Sequence, residues 1–145
     1  MTVTVRRVDP GEGLSDAFAV RRAVFIEEQG VSEDEEMDGR DDEASHVVAY
    51  DGDRPVGTAR LRTVEAGVGK VERVAVRAAD RGEGIGRALM AEVESLAADR
   101  GVEALKLHAQ TRVEGFYEKL DYETTSGVFQ EAGIDHIAMV KELDR

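Results

Sequence analysis

Three glycines in five residues, Gly82, Gly84 and Gly86, stand between Arg81 and Arg87 after a β-rich stretch and before a helical one. Such a turn can hold an anion, because the first amides of a helix lack carbonyl partners and the helix dipole favours negative charge there. Spacing decides which anion. A Walker A loop needs Gly-Lys followed by Ser or Thr, and Gly86 is followed by Arg87 and Ala88. A dinucleotide fingerprint needs Gly or Ala at its sixth position; counted from Gly82 that residue is Arg87, and from Gly84 it is Leu89. Both nucleotide loops are excluded. Two plainer readings stay open: the glycines merely allow a tight turn and close helix packing, and Arg81 and Arg87 are a solvated pair. Against the first, glycine at a helix start costs stability unless some group must approach the backbone.

The remaining residues with chemical potential give weaker signals. His46, His108 and His136 are far apart and lack the i, i+4 spacing of a metal site, so each reads first as structural, with His108 and His136 able to face a pocket. There is no cysteine, hence no disulfide, thiolate nucleophile or Cys-ligated metal. The acidic stretch from Ser32 to Glu43 lacks the Asp-x-Asp-x-Asp-Gly order of a Ca²⁺ loop and reads as a solvated loop or frayed helix. No metal is expected.

The elements that must position these residues follow from periodicity. Val3, Val5 and Val8 suggest a first strand; Leu14, Phe18, Arg21, Arg22 and Phe25 recur at helical spacing to about Gln29. His46 to Tyr50 and Pro55 to Leu61 are strands joined by the hairpin signal Asp51-Gly52-Asp53-Arg54. Val68 to Val76 is a longer strand, with Glu72, Val74 and Val76 expected on one face and Val71, Arg73 and Ala75 on the other. From Ile85 a stripe of Leu89, Val93, Leu96 and Ala97 marks a helix that stops at Arg100-Gly101. Val102 to Ala109 is a buried strand, Val113, Phe116, Tyr117 and Leu120 mark a short helix, and Ile137 to Lys141 closes the sheet. The order is βαβββαβαβ, with a further strand near Val128. Pro10 and Pro55 fall at element boundaries.

At 145 residues and 41% hydrophobic, the chain can bury one core and is expected to form one domain over 1–145. It carries no run of about twenty apolar residues and no secretory leader pattern, which predicts a cytoplasmic protein without a membrane partner. A net charge of −12 argues against nucleic acid, which needs a basic surface. The only lysines are Lys70, Lys106, Lys119 and Lys141, and this acid-rich, Lys-poor composition suggests a halophilic host, an ordinary acidic protein being the alternative.

The pattern Arg81-x-x-Gly84-x-Gly86 after Glu72-Arg73-Val74-Ala75-Val76 resembles the GNAT superfamily of acetyl-CoA-dependent N-acetyltransferases. Phe116-Tyr117-Glu118-Lys119 is similar to the Phe-Tyr-x-Lys stretch after that family's fifth strand. Phe25 to Gln29, Ala109-Gln110 and Phe129 to His136 resemble its ElaA-like branch. The resemblance covers most of the chain. It implies an α/β fold with a central mixed, mostly antiparallel sheet splayed between its fourth and fifth strands and flanked by helices.

It also implies a chemistry: an amine acceptor attacks the thioester of acetyl-CoA, which acts as co-substrate. That reaction needs a neutral amine, a polarised carbonyl and a proton for the departing thiolate. By resemblance, the cofactor lies against Val74, Ala75, Val76, Arg81, Gly82, Gly84, Ile85, Gly86, Arg87 and Phe116, with strand backbone at the acetyl-pantetheine arm. Tyr117 then stands as general acid toward the sulfur, a core tyrosine being the other reading. Glu72 stands as base through water; that role requires burial to raise its pKa, and a salt bridge with Arg73, Arg60 or Arg62 is the alternative. The acidic stretch, Asp34, Glu35 and Glu36 above all, would attract a cationic amine if it lay over the acceptor site.

The chain departs from the family pattern in two places. Lys119-Leu120-Asp121-Tyr122 carries Asp where Gly is common, a substitution that left-handed geometry tolerates. The Asn that often precedes the Phe-Tyr helix is absent, Gln110-Thr111-Arg112 standing there instead. A non-catalytic acetyl-CoA sensor and a different acyl donor are competing functions. Acceptor identity and oligomeric state stay open, a homodimer included.

Overall fold

The computed structural model describes residues 2–9 and 11–143, so the boundary expected at Pro10 lies outside the described residues. Strand β1 (Val3–Arg7) pairs antiparallel with β2 (Ser45–Asp51), β2 with β3 (Arg54–Glu65) across the expected hairpin, and β3 with β4 (Val68–Val76). β4 then runs parallel to β5 (Ala104–Gln110). β5 pairs antiparallel with β8 (Ile134–Glu142), which takes β6 (Glu123–Thr124) and β7 (Phe129–Glu131) on its other edge. The sheet runs β1-β2-β3-β4-β5-β8-β6, with β7 joined to β8, so the final strand lies inside the sheet, where the sequence suggested a closing one. β7 falls next to Val128, where a further strand was expected.

Helices cover both faces. On one side α3 (Ile85–Asp99) buries Ile85, Leu89, Met90, Val93, Leu96 and Ala97 against β1 to β4. Each of the five larger side chains contributes roughly 1.5–3 kcal/mol by leaving water. The helix ends as its sequence dictates: Gly101 takes φ 76°, and Val102 N and Gly101 N return to the carbonyls of Ala97 and Ala98 at 3.0 and 3.1 Å. On the other side α1 (Ser15–Arg21) continues into a π-helical segment (Arg22–Glu28), where Gln29 N reaches back five residues to Val24 O at 3.1 Å. Such widened turns gather at functional sites.

The sheet opens at one place. β4 and β5 pair only from Val68 and Ala104 to Val71 and Leu107. The cause is a bulge in β4: Thr58 pairs with Ala75 and Arg60 with Glu72, so Ala59 stands opposite both Arg73 and Val74. Arg73 adopts φ 55°, a left-handed conformation that costs a non-glycine residue about 1–2 kcal/mol. Its side chain helps to hold it there, with Nε 2.7 Å from Glu36 Oε2 and Nη2 donating to the carbonyls of Glu35 and Glu36. A bulge bends its strand and increases the twist, which turns β4 away from β5.

The bulge also corrects the expected strand faces. Val71 packs in the core under α3 and so do Val74 and Val76, whereas Ala75 packs with Val20, Val24 and Phe25 beneath α1. Strict alternation would have put Val71 and Ala75 on one face. The extra residue at Arg73 inverts the parity.

Candidate active site

The Gly-rich turn crosses the mouth of the opening. Gly82 and Gly84 sit at φ 84° and φ 80°, with open space where a Cβ would stand, so backbone conformation calls for glycine at both. Gly86 differs, since its Cβ would lie 3.2 Å from Phe116 Cζ: here close packing is the reason. Ala88 N is bonded to Gly84 O at 3.1 Å, while the amides of residues 82–87 donate to no backbone carbonyl among the described residues. Arg81 is exposed but paired. Its guanidinium makes two hydrogen bonds to Glu28, of 2.7 and 2.6 Å, and its Nε donates to Val76 O at 3.0 Å.

A cleft of about 790 Å³ runs from this turn through the gap between β4 and β5. Val74, Ala75 and Val76 form one wall, free of β5. Ile85 and Arg87 border it at the start of α3, and Phe116 and Tyr117 on α4 (Glu114–Glu118) form the opposite wall. Tyr117 is 7% exposed and meets Phe116 and Tyr122 edge-on at 4.9 and 5.9 Å. Its hydroxyl has no hydrogen-bond partner among the described residues. Burial pushes its phenol above the usual range, so it carries its proton throughout the working pH range. The turn after α4 places Asp121 at φ 73°, the left-handed conformation expected where the family has glycine.

Glu72 also lines the cleft, but inside an ion-pair net. Its carboxylate accepts from Arg60 at 2.9 Å and from Arg62 at 2.8 and 3.3 Å, and lies 3.5 Å from Lys70. Burial alone would raise this carboxyl; the Arg62 hydrogen bonds and the charges of Arg60, Lys70 and Arg62 outweigh it and hold the pKa at about 2. The elevation that a base role required is reversed, and of the partners expected for a salt bridge Arg60 and Arg62 are the ones found.

The same net corrects the reading of the acidic stretch. Fully buried Arg60 binds Asp38 and Asp41, and buried Arg21 binds Glu36 and Asp41 at 2.7 Å each. Helix α2 (Glu33–Glu36) and the residues after it are thus fastened to the sheet, with Glu36 only 3% exposed. Glu36 and Asp41 are neither solvated nor free to attract a cation.

The histidines divide. His46 is buried with Nε2 3.0 Å from Asp41 O, and burial lowers its pKa. His108 and His136 come together on the cleft wall: His108 Nδ1 is 3.0 Å from Glu131 Oε1, and His136 Nε2 is 3.8 Å from Glu131 Oε2. Phe129 sits edge-on to His108 at 5.0 Å. Glu131 and Glu28 are the residues of this region that sequence reasoning did not single out. Nothing in the sequence signals either pair, because each partner is brought in by a different part of the fold.

Residues 12–143 match the family described as Acetyltransferase (GNAT) domain. The chain belongs to this family. The N-acetyltransferase YjcF of Bacillus subtilis, whose name calls it uncharacterized, is 43% identical over 132 residues, covering 90% of this chain and 94% of YjcF. ElaA of Escherichia coli is 30% identical over 129 residues, 86% of this chain and 84% of ElaA, and its crystal structure superposes with a TM-score of 0.84 over 97% and 100% of the two chains. A crystal structure from Lactobacillus plantarum, described as an N-acetyltransferase, is 34% identical with a TM-score of 0.90 over 99% of each chain. A GNAT acetyltransferase from Elizabethkingia anophelis, solved with acetyl-CoA bound, shares the fold at a TM-score of 0.75 and 17% identity over 97% and 98% of the chains. The protein is an acyltransferase of the GNAT type. Among the described residues no helix is long and apolar enough to cross a membrane, and no cluster of side chains could hold a metal.

Proposed function

We propose that the chain transfers the acetyl group of acetyl-CoA to a primary amine by direct attack of the amine on the thioester. One observation carries this reading: the break between β4 and β5 is continuous with the unpartnered amides of residues 82–87 and with the Tyr117 hydroxyl, in one cleft. The amides suit a pyrophosphate, since each offers a fixed donor at the positive end of α3. The free edge of β4 at Val74 to Val76 suits the pantetheine arm and offers backbone donors to the thioester oxygen. The occurrence of acetyl-CoA in the Elizabethkingia relative supports the same use of the fold here.

In this reading Tyr117 gives its proton toward the departing sulfur, a role that suits a protonated, unpartnered hydroxyl at the cleft wall. Glu72 holds Arg60 and Arg62 and takes no proton from the amine. Calorimetric titration with acetyl-CoA, followed by CoA release with putrescine, ethanolamine, tyramine, glycinamide and lysine ethyl ester, tests the proposal. Binding with release for at least one amine is expected. Tight binding with no release for any would favour a sensor, and no binding would overturn both.

A further inference from the structure

The acetylation reading leaves the amine without a proton acceptor, since Glu72 is neutralised by its cations. We propose that His108, oriented by Glu131, is that acceptor and that the amine enters on the α1 face of the sheet. The inference rests on the acetylation reading above and assigns the other half of its proton chemistry.

Strand β5 separates two faces. Leu105, Leu107 and Ala109 are buried in the core beneath α3, while Lys106, His108 and Gln110 alternate toward the opposite side, where Gln110 bonds to Gln29 at the end of the π-helical segment. Tyr117 belongs to the α3-side core. The gap therefore has Tyr117 on one side and His108 on the other. In acyl transfer the nucleophile arrives and the sulfur leaves on different bonds of one carbon, so base and acid must flank that carbon.

The hydrogen bond of His108 fixes what the ring can do. With Nδ1–H donating to Glu131 Oε1 at 3.0 Å, the neutral form of the ring has its lone pair on Nε2, which has no partner among the described residues. Glu131 is held at the end of β7 by a two-residue turn in which Ala132 and Gly133 both take positive φ, 52° and 74°. Alanine is disfavoured in that geometry, and such outliers concentrate at working sites. The groups on the His108 side are Glu131 on β7, His136 on β8, Lys106 on its own strand, Lys70 on β4, paired with Lys106, and Glu72 at the start of the gap.

The protons balance. Nε2 takes one proton from the incoming ammonium and passes it to solvent. The neutral nitrogen then forms the C–N bond as the C–S bond breaks and gives its second proton to the vacated Nε2, while the thiolate gains one from Tyr117, whose phenol is replenished from solvent.

The test uses the full chain, acetyl-CoA and the fastest amine of the panel above. His108→Ala should lower kcat about a hundredfold or more, leave acetyl-CoA affinity unchanged, and regain rate with added imidazole. Glu131→Gln should lower kcat less, and ¹⁵N NMR should show His108 changing from the Nδ1-protonated tautomer to a mixture, a readout independent of turnover. An active wild type with His108→Ala equally active, or inactive and not rescued by imidazole, overturns the dyad and leaves acetylation standing. A wild type that releases no CoA with any amine overturns the acetylation reading and the dyad with it.

Discussion

Arg60 Nη2 stands 2.9 Å from Glu72 Oε1, and this contact ties the bulged strand β4 to its neighbour β3. Arg60 is fully buried; Nη1 and Nη2 also bond Asp38, and Nη1 bonds Asp41, while Nε has no partner among the described residues. Removing one member of such a net leaves a buried charge unmatched.

Glu72→Gln should therefore lower stability rather than abolish a proton transfer. The folded carboxyl titrates at about 2 against an ordinary 4.5, so its contribution is complete above pH 4.5 and is lost as pH falls through about 2. The size is on the order of 3 kcal/mol. Urea unfolding at pH 7 and pH 3 should show the variant weaker at neutral pH, with a smaller acid-induced loss than wild type. Its kcat/KM should keep the wild-type pH profile; loss of one limb would restore Glu72 as base.

The Arg81–Glu28 pair predicts an unequal pair of variants. Arg81→Ala should weaken acetyl-CoA binding by about tenfold, the value of a charge-assisted hydrogen bond. Glu28→Gln should tighten it, because the guanidinium is then freed from a carboxylate that competes with phosphate. Calorimetry at low and moderate salt measures both, and a loss of affinity in Glu28→Gln would show that Glu28 serves to orient Arg81.

Tyr117→Phe should cut kcat about 10²-fold while acetyl-CoA affinity stays within error. Since burial holds the phenol pKa above the usual range, wild-type kcat should show no alkaline fall near pH 10. A fall there, or an unchanged kcat in the variant, would count against Tyr117 as acid.

The salt adaptation inferred from composition is separately measurable. With a net charge of −12, screening of carboxylate repulsion should raise the melting temperature between low and molar KCl. An unchanged or falling Tm would leave an ordinary acidic protein.

The sequence alone determined the parts governed by local chemistry. The stripe from Ile85 to Ala97 and the stop at Gly101 define α3, because periodicity and a left-handed cap are short-range properties. The turn from Arg81 to Arg87 has amides without backbone partners for the same reason, since they follow from glycine and a helix start. What tertiary structure decided were pairings between distant segments. One residue of excess at Arg73 inverted the strand faces and opened the sheet, and a strand's propensity does not reveal a bulge. Whether Glu72 is a base or an anchor depended on Arg60 and Arg62 arriving from β3. Whether Arg81 is free depended on Glu28, and whether His108 is oriented depended on Glu131. Charge interactions act through space, so the partners of a carboxylate are fixed only when the fold fixes its neighbours.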